Sequence, residues 1–117
     1  MITHNTEIGM ISIDTAVYTN IAGYAAINCF GVKGMAVRSV TDGLVHLLRK
    51  EAMSKGVHVI VGEDNSISID LHIMVDRGVN LSAISDSIIE QVRYQVTKAT
   101  GTEVRAIHVF VDSINLK

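Results

Sequence analysis

His58, His72 and His108, with Asp70, are the residues of this chain whose types best suit chemistry. Each histidine falls on the outward or less apolar side of an alternating segment, and Asp70 shares the face of His72. Imidazole nitrogens and a carboxylate are ligands that zinc and similar divalent ions take, so adjacent strands could gather them into a metal site. The spacing argues otherwise, because no His-x-x-x-His or Cys-x-x-Cys pair is present and sheet faces often carry a solvated histidine among Ser and Asp. The single cysteine, Cys29, lies on an apolar helical stripe, where a thiol behaves as a small hydrophobe. Ser12, Ser82, Ser85 and Ser87 sit in no Gly-x-Ser-x-Gly elbow, and both glycine-rich phosphate patterns are missing. No catalytic, cofactor-binding or metal motif is offered, and a non-enzymatic protein without a cofactor is expected.

A second pattern points to binding. Gly31-Val32-Lys33-Gly34 is a Gly-x-x-Gly segment of the kind with which KH domains hold a nucleic-acid backbone. Lys33, Arg38, Arg49, Lys50 and Lys55 supply five of the ten basic residues within this third of the chain. Gly31, Lys33, Gly34, Arg38, Arg49, Lys50 and Lys55 are therefore the candidate contacts for a partner or a nucleic acid. Against the nucleic-acid reading stand a formal net charge of -2 and an aromatic content of only 4%. It is kept as the alternative, a KH-like module using the Gly31–Gly34 loop.

The elements that must position these residues are punctuated clearly. Ile11 and Ile13 alternate with polar neighbours in a strand over residues 9–13, and Asp14 can cap a helix over 15–28. Val17, Ile21, Ala25 and Cys29 form its apolar stripe, and Gly31 is its stop. Met35, Val37 and Val40 follow no single period. A second helix is expected over 42–53, capped by Thr41, buried through Leu44, Val45, Leu47 and Leu48, and stopped at Gly56. A hairpin follows, with Val57, Val59 and Val61 on one strand and Ile67, Ile69, Leu71, Ile73 and Val75 on the other. Facing residues of an antiparallel pair share a side of the sheet, so odd-numbered apolar sets need an odd loop. A three-residue loop of Asp64, Asn65 and Ser66 satisfies this and sets His58 opposite His72. Ser82 is the expected cap of a third helix carrying Ile84, Ile88, Val92, Val96 and Ala99, closed by Gly101. The last strand is expected over 104–111. The order β-α-α-β-β-α-β implies an α+β two-layer sandwich, a small antiparallel or mixed sheet with helices on one face.

Composition sets the limits. The chain has 117 residues, 48% hydrophobic and 19% charged, which suits a single domain over residues 1–117 and excludes a disordered chain. No apolar run approaches the roughly 20 residues that cross a bilayer, and nothing in residues 1–9 reads as a secretory leader. One cysteine fits a reducing cytoplasm. Residues 1–8 are expected to be flexible.

Taken together, IAGYAA (21–26), CFGVKGM (29–35), DGLVHLLRKE (42–51), SKGVHV (54–59), SIDLHIMV (68–75) and TGTEVRAIHVFVDSI (100–114) closely resemble the alkaline shock protein or Gls-type envelope stress response family, its YloU-like branch in particular. The resemblance runs from Gly9 onward and rests on order and spacing across segments. It implies an abundant cytoplasmic scaffold or adaptor of Gram-positive bacteria that supports cell-envelope homeostasis through protein contacts and homo-oligomers. It implies as partners a small membrane anchor protein or a fatty-acid kinase component, and it brings no catalytic residue with it. One departure is Ala83, where members of the family commonly carry proline in the first helical turn.

Overall fold

The structure is a computed structural model, and it describes residues 1–39, 41 and 43–116. Its elements are β1 (Ile2–Thr6), β2 (Gly9–Ile13), α1 (Thr15–Ile27), β3 (Val32–Arg38), β4 (Val45–Leu47), a short 3-10 helix (Lys50–Gly56), β5 (Val57–Val61), β6 (Ile67–Asp76), α2 (Leu81–Thr100) and β7 (Val104–Asn115). The architecture is the expected α+β sandwich, with a five-stranded mixed sheet under two long helices.

β6 is the axis of that sheet. Its odd-numbered residues Ile67, Ile69, Leu71, Ile73 and Val75 are all fully buried, while its even-numbered residues reach solvent, so the period-two pattern alone assigns the covered face. β7 runs parallel along one side of β6; β5 and β3 share the other side, each antiparallel to one half of it. Two parallel neighbours need a long crossover, and α2 supplies it. Ile84, Ile88, Val92 and Val96, one turn apart, press into the covered face. Ala99, expected on the same stripe, is exposed.

Local chemistry explains the helix ends. Asp14 caps α1 by accepting from the Ala16 N–H at 2.9 Å. α2 begins earlier than Ser82: Asn80 Oδ1 accepts from the Ala83 N–H at 3.0 Å, making Asn80 the cap. Gly101 ends α2 with φ +72, the left-handed conformation that a side chain resists.

Four further expectations are corrected. Residues 2–6 form β1, which pairs with β2 and sends Ile2 fully into the core, where a flexible lead was expected. The buried side of α1 runs through Tyr18, Ala22 and Ala26, about 100° round the helix from the Val17 stripe. Val17 is 41% exposed. Tyr18 turns inward because its hydroxyl finds Thr102 Oγ1 at 2.6 Å, and the small residues behind it let the helix approach the sheet.

The helix expected over 42–53 is a strand and a 3-10 turn; its proposed start at Asp42, like Val40, lies outside the described residues. Met35 and Ala36 are fully buried, so the backbone of β3 needs hydrogen-bond partners, and a β-ladder with β4 provides them. The Leu48 N–H donates to the Met35 carbonyl at 2.8 Å, and Gly43 takes the turn with φ +69. Finally, the β5–β6 loop spans residues 62–66. The sum of paired positions is even, as expected, but His58 faces Asp70, with Asn65 at φ +64 in the turn.

Candidate functional site

The outer face of the sheet gathers the histidines without making a metal centre of them. β6 places Asp70 between His58 of β5 and His108 of β7, and it places His72 beside Phe110. His108 Nδ1 lies 3.4 Å from Asp70 Oδ1, and His72 Nδ1 lies 3.0 Å from Asp112 Oδ2. The His72 ring stacks on Phe110 with centroids 4.7 Å apart, and the His58 ring meets that of His72 edge-on at 5.6 Å. Among the described residues no group of three or more His, Cys, Asp or Glu is arranged to hold a metal ion. The cluster is two separate imidazole–carboxylate pairs bound to ring stacking, a polar seam that ties β7 to β6.

The Gly-x-x-Gly segment does not form a loop between two helices. Gly31 closes the turn after α1 with φ +88, and a Cβ there would collide with Ile84 Cδ1. Gly34 lies inside β3 beyond a register shift, where a Cβ would stand 2.9 Å from Leu47 Cδ1. Both glycines are buried, serving close packing, and the KH arrangement is absent. The basic residues are spread over β3, the 3-10 helix and the chain between. Arg38 donates to the Gly43 carbonyl at 2.8 Å, and Lys50 Nζ sits 4.9 Å over the Tyr24 ring. Lys33, Arg49 and Lys55 are exposed.

A groove between the outer sides of α1 and α2 is the feature that the sequence did not announce. It encloses about 770 Å³ and is lined by Ile21, Tyr24, Cys29, Phe30 and Met53 among others, with the amides of Asn20, Asn28, Gln91 and Gln95 around it. Among the described residues that line it there is no carboxylate, imidazole or cation. Phe30 is 92% exposed and Tyr24 49%; they are two of the four exposed rings among the five of the chain, and both line this groove. Cys29 sits in its wall: its thiol donates to the Ala25 carbonyl at 3.4 Å, and burial pushes its pKa above the ordinary 9.0 against a smaller opposing effect of Ser87. A protonated, shielded thiol is a poor nucleophile. The groove can hold an apolar group and offer it amide hydrogen bonds.

The sequence hint was available in Phe30 itself, an aromatic residue set directly between the end of a helix and a turn glycine, where no apolar stripe requires it.

Residues 3–116 match the profile of the alkaline shock protein 23 family, described as having a cell envelope-related function. The chain belongs to that family. Among curated relatives, YloU of Bacillus subtilis (strain 168) is 35% identical over 112 residues, covering 95% of this chain and 92% of that protein. Spy1614 of Streptococcus pyogenes serotype M6 is 34% identical over 113 residues, covering 96% and 93%. YqhY of Bacillus subtilis is 30% identical over 110 residues, covering 94% and 80%. A doubly substituted MamM CTD matches with a TM-score of 0.52 over 88% of this chain and 96% of that one; at 17% identity the likeness is one of fold. For this alkaline shock family chain, no described helix is long and apolar enough to cross a membrane.

Proposed function

We propose that this alkaline shock family chain is a non-catalytic adaptor of the cell envelope, acting in the stress response from the cytoplasmic side by holding a protein partner in the groove between α1 and α2. The observation that carries this reading is Phe30. A ring left in water beside Tyr24, over a neutral trough, gains about 25 cal/mol for each Å² that a partner covers. Aromatic residues are enriched at binding interfaces, in which a few side chains carry most of the energy. The described lining residues carry no charge, which favours an apolar segment as the occupant. The partner we assign is a membrane-anchored protein presenting such a segment, consistent with the family's envelope-related function. A lipid-metabolism enzyme, such as a fatty-acid kinase component, is the rival occupant.

Tagged chain recovered from cross-linked cells with membranes included tests this reading, run side by side with Phe30→Ala and Gln91→Arg. Both substitutions are at exposed positions and leave the core intact. One specific membrane protein recovered with the native chain, and reduced at least about tenfold with either variant, is the expected outcome. A lipid-metabolism enzyme lost in the same way identifies the rival. Unchanged recovery of every partner removes the groove as the working surface.

A further inference from the structure

We propose that two copies of this chain join through β7, edge to edge and antiparallel, about a two-fold axis at Val109. This pairing uses a different surface from the groove between α1 and α2.

β7 is twelve residues long and gives one side to β6. Along residues 106–111, no strand among the described residues takes its other side, and no backbone bond outside the regular elements reaches it. Such an edge is a row of unmet N–H and C=O groups and a template for another strand. Proteins that must stay single blunt these edges with charges, bulges or proline. Here the blunting devices stand only at the two ends. Slips in register against β6 fall at Arg105 and at Asp112, and no other Asp, Glu, Lys or Arg lies in the strand. Between them lie six residues in regular register, Ala-Ile-His-Val-Phe-Val, open and without a guard.

That window is complementary to itself. In an antiparallel pair, facing residues share a side of the sheet, which restricts the symmetric centre to a residue rather than a bond. With the axis at Val109, Val109 faces its own copy and Ile107 faces Val111 on the helix-covered side. His108 then faces Phe110 on the outer side. Charge fixes the direction: an antiparallel copy brings the Arg105 end of one chain to the Asp112 end of the other, whereas a parallel copy stacks like on like. The result is one continuous sheet carrying the helices of both copies on one face.

The test uses the full chain with Cys29→Ser and one new cysteine at a time. Val109→Cys is expected to form a disulfide-linked dimer on mild oxidation, because a disulfide needs Cα atoms within about 7 Å and residue 109 faces itself. Ile107→Cys and Val111→Cys are expected to form no disulfide separately and to cross-link when mixed. The native chain gives a second reading that needs no substitution. Its mass by light scattering should double between low micromolar and millimolar protein, and alternate amides of residues 106–111 should exchange more slowly as it does. A monomer mass throughout, or cross-linking at 107 or 111 alone with none at 109, overturns the proposal. Failure here leaves partner recovery through Phe30 untouched, so the two proposals fail separately.

Discussion

Thr102 shows how one side chain can join distant parts of this chain. It is fully buried just after α2, with its hydroxyl 2.6 Å from the Tyr18 hydroxyl and 3.0 Å from His4 Nε2. Thr102→Val keeps the shape and leaves the Tyr18 hydroxyl without this partner, which is expected to cost about 1–3 kcal/mol. A lower urea midpoint with an unchanged slope is the outcome that checks it. Cys29 carries a pH dependence of defined sign. Its folded pKa is raised by burial, so the fold holds the thiol proton more tightly than the unfolded chain does. The stabilisation is complete below the ordinary value of 9.0 and is lost as pH rises past it. The unfolding midpoint of the native chain should therefore fall above that pH more steeply than that of Cys29→Ser.

At the scale of elements, the legible parts are those whose partners the pattern itself implies. The alternation of β6 and the four-residue steps of Ile84, Ile88, Val92 and Val96 each meet a single apolar surface, so sequence period and burial agree. The facing of α1 departs from its stripe because it touches the sheet, the 3-10 helix and α2 at once, and a tyrosine with a hidden hydrogen-bond partner outranks a valine. Residues 42–53 mislead because Leu44, Val45, Leu47 and Leu48 fit a helix as well as a strand. What decides between them is the need of buried β3 for a ladder, a long-range demand that no local window displays. The groove is illegible for the same reason, since it belongs to two helices rather than to a motif. Ala83 is informative at this scale. Its N–H is the donor to the Asn80 cap, a bond that proline cannot make. Ala83→Pro should weaken this helix start by about 1 kcal/mol, read as a lower thermal midpoint and faster amide exchange in the first turn of α2.

The molecule as a whole spans 54 × 32 × 22 Å, with a covered core on one side of the sheet and its distinctive exposures at the rim: the rings of the groove and the open strand β7. Some of its ionisable groups pair with one another, as in His72 with Asp112 and Arg105 with Asp64. In the proposed function, Phe30 is the residue that meets the partner. Replacing it in living cells with a photoreactive benzophenone amino acid, and placing the same group at exposed Glu63 as the control, tests that claim most directly. Illumination should yield one discrete adduct with a membrane-anchored protein from position 30 and none from position 63. No adduct at position 30, or the same adducts from both positions, would contradict it.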